Sequence, residues 1–258
     1  MVTGGSGGIG QAICSRFAEE GATVIIVDLM REMANEFAST LKQKGFMAAA
    51  FATDVSKSKD CRELINEVSN RFGKIDILVN NAGINRRGPL LDILENDWME
   101  TFDVNIHSMF HLCQNALPLM ISNGGGAVVN ISSQWGLHPS PNNVAYNVTK
   151  AAVASFTQCL ARDYAHENIR VNAVCPGEVH TPMLEESVTN SGKTLADLDA
   201  LVPFGRIGTP DEVAALVAFL ASEEATFMCG SVVEITGAQA VPSFSKSPSE
   251  KFICLNKA

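Results

Sequence analysis

A doubly wound, parallel α/β sheet in three layers is the fold this sequence predicts, and three patterns predict it. Short runs of β-branched and apolar residues recur along the chain, amphipathic stretches separate them, and a glycine-rich turn precedes the first helix. Continuously apolar runs suit strands covered on both faces, and they fall at Thr23–Val27, Ile75–Val79, Ala127–Ile131 and Ile169–Val174. Helical stretches cover 11–20, 31–44, 57–72, 96–122, 144–166 and 210–222. The last opens with Thr209-Pro210-Asp211-Glu212, in which Thr is the N-cap, Pro takes the first helical position and Glu closes a capping box. No repeat or low-complexity linker divides the chain, so one domain is expected over 1–240. Residues 241–258 have the Ser/Pro/Lys composition of a loosely ordered tail.

Hydrophobic residues make up 46% of the 258 and charged residues 18%, enough apolar material for a sizeable core. A net charge of −9 without a Lys/Arg block argues against nucleic acid and anionic membrane as partners. Apolar stretches such as Ala214 to Ala221 are too short to span a bilayer. The seven cysteines are scattered, with no CxxC pair and no histidines at metal spacing, so reduced thiols and no metal are expected. Met1-Val2-Thr3 leads directly into glycines instead of a basic and apolar leader, which predicts a cytoplasmic protein.

Chemistry enters with Thr3-Gly4-Gly5-Ser6-Gly7-Gly8-Ile9-Gly10. Glycines let the backbone turn tightly and approach a pyrophosphate, whose charge meets the free N–H groups of the following helix. The same run would also serve as a flexible linker, and its spacing is looser than the usual dinucleotide fingerprint. Asp28 strengthens the dinucleotide reading: an acidic residue ending the next strand accepts hydrogen bonds from the adenosine ribose and repels a 2′-phosphate, favouring NAD over NADP. A second signal is Tyr146-Asn147-Val148-Thr149-Lys150, whose i, i+4 spacing sets a phenol and an ammonium on one helix face. A cation about 4 Å away in an effective dielectric near 20 favours the phenolate by roughly 4 kcal/mol, which brings proton exchange toward neutral pH.

Together, Thr3 to Gly10, Asn80-Asn81-Ala82-Gly83, Asn105, Ser132-Ser133, Tyr146 to Lys150 and Pro176-Gly177 stand in the order and approximate spacing of the single-domain short-chain dehydrogenase/reductases, which the chain resembles from Met1 to about Ala240. The resemblance implies a Rossmann-like sheet and a metal-free hydride-transfer site. In that comparison Tyr146 exchanges the proton with the substrate oxygen and Ser133, 13 residues before it, hydrogen-bonds that oxygen. Lys150 binds the nicotinamide ribose and lowers the Tyr146 pKa, while Asn105 holds a water on the proton path. The residues Gly4, Ser6, Gly8, Ile9 and Gly10 resemble the family's pyrophosphate loop, and Asp54-Val55 the pair beside the adenine. Asn81, Ala82 and Gly83 resemble the floor of the cofactor site, and Pro176, Gly177, Val179 and Thr181 the segment along the carboxamide. The long stretches 96–122 and 144–166 resemble helices that pair across two-fold axes, implying a homotetramer.

Members of the family carry several residues ahead of the Thr-Gly turn, where this sequence has Met1 and Val2. A shortened central strand, and with it lowered stability and a poorly anchored loop, is therefore expected. Glu234-Ile235-Thr236-Gly237-Ala238 also departs from the family's Val-Asp-Gly-Gly. Substrate-facing positions supply Gln134, Trp135, His138, Glu178 and His180, and Arg86-Arg87 could meet a carboxylate. This polar set suits a small polar secondary alcohol and resembles the family's sugar-acid dehydrogenases, so an NAD-dependent dehydrogenase of such a substrate is expected. Two alternatives stand beside it: an NADPH-dependent 3-oxoacyl thioester reductase and an inactive nucleotide-binding protein.

Overall fold

The computed structural model describes residues 1–191 and 194–241. Seven parallel strands form one sheet in the order β3-β2-β1-β4-β5-β6-β7. They are β1 (Val2–Thr3), β2 (Val24–Asp28), β3 (Ala48–Ala52), β4 (Ile77–Asn80), β5 (Gly126–Ile131), β6 (Ile169–Pro176) and β7 (Val232–Ile235). The helices are α1 (Gly8–Glu19), α2 (Arg31–Gln43), α3 (Ser58–Phe72), α4 (Glu95–Phe102), α5 (Ser108–Ser122), α6 (Val144–Tyr164), α7 (Pro182–Ser191), α8 (Leu195–Asp199) and α9 (Pro210–Ala221). One face of the sheet is buried by α1, α2 and α9, around Ile13, Ile26 and Val217; the other by α3 and α5, around Leu64, Leu78 and Met120. The predicted three-layer, doubly wound fold is the fold observed. Strand order reverses between β1 and β4, and the crevice beyond the carboxyl ends of these strands is where such sheets bind ligands.

Most predicted elements hold to within a few residues, and the Thr209 capping box is present in full, with Glu212 N–H donating to Thr209 and Thr209 N–H to Glu212. The stretch 96–122 differs: a single π-turn at Asp103–His107 interrupts it, separating α4 from α5. Strands β3 and β7 lie outside the predicted runs. β3 is Ala48-Ala-Ala-Phe-Ala52, which carries no β-branched residue, and only part of β7 is buried.

At the centre of the sheet the structure shows how Met1 to Thr3 serve. Val2 pairs with Ile26 on one side and Val79 on the other, and both Val2 and Thr3 are buried. The Met1 amine donates to the Ile77 carbonyl at 2.8 Å, and Val79 N–H returns a bond to the Met1 carbonyl. Burial pulls this amine from 8.0 down to about 6. Beside it a cavity of about 370 Å³ runs between Thr23–Ile25 and Ile75–Ile77. The strand is thus short but in its central place. The glycine turn is anchored through Thr3, whose Oγ accepts from the N–H groups of Asn81 and Ala82 at 3.0 and 3.1 Å. The tail assigned to 241–258 falls, beyond residue 241, outside the described residues.

Candidate active site

The predicted glycine-loop residues run from the carboxyl end of β1 into the first turn of α1, and backbone geometry requires glycine at three of them. A Cβ on Gly10 would run into the Gly4 carbonyl, and one on Gly8 would come within 2.9 Å of the Thr181 methyl. Gly4 has φ +60°, a backbone conformation that side chains disfavour. Asn81 Nδ2 closes the turn by donating to the carbonyls of Thr3 and Gly4 at 2.9 and 3.1 Å. Ser6 Oγ is buried without a hydrogen-bond partner in the protein, and Ile9 lies at the start of α1. A bare backbone cradle, a helix N-terminus and an orphan hydroxyl fit the pyrophosphate of a dinucleotide.

Asp28 ends β2 beside this loop. Its carboxylate accepts from Ser6 N–H and Met30 N–H, both at 3.1 Å, which orients it and leaves lone pairs for ribose hydroxyls. Asp54 accepts from the Ser56 N–H and hydroxyl at 3.0 and 2.6 Å, and Val55 beside it is buried. Across the crevice Val179 is buried and Thr181 caps α7 through its hydroxyl, which accepts from Leu184 N–H at 3.3 Å. Pro176 and Gly177 end β6, and Gly177 N–H is bonded to the Ile235 carbonyl of β7.

The four predicted catalytic residues converge from β5, the π-turn and α6. Ser133 is buried just past β5, and its Oγ accepts from Trp135 N–H at 3.1 Å. Tyr146 is hydrogen-bonded to Ser133, and Lys150 Nζ lies 5.6 Å from the Tyr146 ring centre. Lys150, only 3% exposed, donates to the Ile131 carbonyl at 2.8 Å. Asn105 sits on the π-turn, where the widened backbone lets it exchange two bonds with the Ile84 backbone at 2.8 and 2.9 Å and donate to Thr149 at 3.1 Å. Gly83 leaves the space between them open: a Cβ there would lie 3.4 Å from both Asn105 Oδ1 and Lys150 Nζ.

Electrostatics correct one expectation. Burial pushes the Tyr146 phenol up to about 12, the bond to Ser133 and the charge of Arg87 oppose that rise, and Glu178 adds to it. Lys150 itself is drawn down by burial to about 8, with its ammonium committed to the Ile131 carbonyl. In the ligand-free site, desolvation therefore outweighs the lysine's pull on the phenol, because Lys150 is not aimed at the hydroxyl.

The expected substrate-facing residues divide. Glu178 and Trp135 border Tyr146 and Ser133. Gln134 is buried behind them, donating to Gln239 at 2.8 Å. His138 pairs with Glu234 at 3.2 Å and His180 with Glu185 at 2.8 Å. Arg86 turns outward to Glu100 and Asp97 on α4, at 3.1 and 3.8 Å. Its neighbour Arg87 is the arginine whose charge reaches the Tyr146 phenol. Sequence reasoning left both arginines open because only the path of the loop separates them.

Residues 4–237 match a family model described as enoyl-(acyl carrier protein) reductase. The chain is a short-chain dehydrogenase/reductase. It is 36% identical to a 3-oxoacyl-[acyl-carrier-protein] reductase of Thermotoga maritima, covering 92% of this chain and 95% of that one. It is 34% identical to a 7alpha-hydroxysteroid dehydrogenase of Bacteroides fragilis, covering 92% of each. Among solved structures, an L-sorbose reductase of Gluconobacter frateurii complexed with NADPH and L-sorbose superposes with a TM-score of 0.87 at 33% identity, covering 92% of this chain and 94% of that one. The enzyme is thus an oxidoreductase of CH–OH groups, and its relatives act on acyl thioesters, a steroid and a sugar. No helix among the described residues is long and apolar enough to cross a membrane.

Proposed function

We propose that this protein is an NAD-dependent dehydrogenase interconverting a small polar secondary alcohol, a sugar or sugar acid, with its ketone. What supports the substrate reading is the polarity around Tyr146 and Ser133: Glu178 follows Pro176-Gly177 across from them, and the charges of Glu178 and Arg87 both reach the phenol. A steroid or acyl chain calls for an apolar lining. Arg87, rather than the ion-paired Arg86, is the group to meet a substrate carboxylate. The NAD preference rests on Asp28, whose carboxylate stands at the loop where a 2′-phosphate would bring like charge.

In this reading Gly4, Ser6, Gly8, Ile9, Gly10, Asp28, Asp54, Val55, Asn81, Ala82, Gly83, Pro176, Gly177, Val179 and Thr181 hold the dinucleotide. A dinucleotide held there would supply the hydride chemistry. Ser133 and Tyr146 bind the carbinol oxygen, Tyr146 carries its proton, and Lys150 holds the nicotinamide ribose beside Asn105 and Gly83. A cytoplasmic homotetramer completes the proposal; free thiols and the exposed Met99 and Phe110 on α4 and α5 support it.

A second reading, an NADPH-dependent 3-oxoacyl thioester reductase, is favoured by the Thermotoga maritima relative and opposed by Asp28. One assay separates them. Absorbance at 340 nm is followed with NAD and NADP against polyols, aldonic acids and an acetoacetyl thioester. Turnover of a polyol or aldonate with NAD at least ten times better than with NADP, about 1.4 kcal/mol, is expected. Thioester reduction with NADPH alone would overturn the proposal.

A further inference from the structure

Gln239 belongs to none of the segments that carry the family's motifs, yet it joins two walls of the site. It follows β7 in the turn Thr236–Ala240, and its side-chain oxygen accepts from two donors: Gln134 Nε2–H at 2.8 Å and Glu178 N–H at 3.4 Å. The Glu178 backbone donor fixes which end of the Gln239 amide is oxygen, and that in turn fixes the Gln134 amide. Gln134 is 1% exposed, and its own oxygen is buried without a partner, so its position depends on Gln239. Gly177 makes room for the arrangement, since a Cβ there would lie 3.3 Å from the Gln239 oxygen and 3.0 Å from Thr236 Cα.

What each wall carries gives the contact its meaning. Gln134 directly follows Ser133 and opens the short 3-10 turn Gln134–Gly136, whose Trp135 N–H donates to Ser133 Oγ. Glu178 directly follows Pro176-Gly177 at the end of β6 and bears on the Tyr146 phenol. The loop carrying Phe204 joins the same turn, through Phe204 N–H to the Gly237 carbonyl at 3.1 Å.

We propose that Gln239 is a positioning residue: by sharing one oxygen between Gln134 and Glu178 it sets the distance between Ser133, which meets the substrate oxygen, and the Gly177–Glu178 turn beside the nicotinamide site. Hydride transfer is sensitive to that distance, because a displacement of about 1 Å costs on the order of a hundredfold in rate. The inference rests on the oxidoreductase activity and not on which alcohol is the substrate.

The test compares Gln239→Met, which keeps the length and loses both acceptor bonds, with Gln239→Glu, which keeps an acceptor. Hydrogen exchange at the Trp135 and Glu178 amides is read first, then NADH binding by fluorescence, then kcat on any alcohol the wild type oxidises. In Gln239→Met both amides should exchange faster and kcat should fall at least roughly tenfold, with the NADH Kd changing less than about threefold. Gln239→Glu should restore the protection and most of kcat. Unchanged exchange and kcat in Gln239→Met would overturn the proposal. So would equal losses in both variants accompanied by lost NADH binding, which would make Gln239 a general scaffold residue. Should the polyols and aldonates all prove inert, the exchange and NADH measurements still decide the role of Gln239.

Discussion

Replacing Lys150 by Met should make the protein more stable and inactive at once. The ammonium is 3% exposed, and burial draws its pKa from 10.5 to about 8. At neutral pH both the folded and the unfolded lysine are protonated, so the native state bears the whole cost of the buried charge, ~3 kcal/mol. Methionine removes that cost, fills the same volume, and leaves the Ile131 carbonyl without its 2.8 Å donor, a loss of about 1–2 kcal/mol. The net gain of about 1–2 kcal/mol corresponds to a rise of roughly 2–8 °C in Tm. The pH dependence gives a second reading. A base whose pKa is lowered on folding holds fewer protons when folded, so stability rises with pH between about 8 and 10.5. Tyr146, pushed up from 10.0 to about 12, acts in the opposite sense above pH 10, and the thiols of Cys14, Cys61 and Cys113, pushed up from 9.0 to about 12, do so above about pH 9, so the lysine is read from the difference between variant and wild type. Thermal scans of both proteins between pH 7 and 10 should show the Tm advantage of Lys150→Met shrinking as the pH rises above 8. A lower Tm for the variant at pH 7, or an unchanged slope, would refute the idea that burial dominates this lysine.

Other outcomes follow from the same geometry. Asp28→Ala should narrow the preference for NAD over NADP in kcat/KM, by relieving the repulsion of a 2′-phosphate; an unaltered ratio would remove Asp28 from the account. Gly10→Ala should abolish the Tm increase that NADH gives the wild type, because its methyl meets the Gly4 carbonyl and Asn81 Nδ2 inside the loop.

Particular residues show what could be read before the structure. The alternation of apolar runs and amphipathic helices gave the sheet, and Thr209 with Glu212 gave a helix start, because these are local patterns with fixed spacing. Ser133, Tyr146 and Lys150 were legible through their family spacing. The Gln134–Gln239 bond was not, since it links residues 105 apart in a segment that departs from the family pattern. Arg86 and Arg87 could not be told apart because nothing in a dipeptide says which side chain faces α4. The spacing of Tyr146 and Lys150 supplies proximity but not direction: without cofactor the ammonium reaches back to Ile131, and burial raises the phenol's pKa. The π-turn at Asn105 and strand β3 have no composition that announces them.

Turnover by Tyr146→Phe tests the central claim most directly. With NAD and the best alcohol from the panel, the rate of NADH formation should drop at least roughly a hundredfold, the scale expected on losing a positioned acid/base, while NADH binding stays within about twofold. A variant keeping more than about a tenth of the wild-type kcat would show that another group moves the proton, and the assignment of Tyr146 would be wrong.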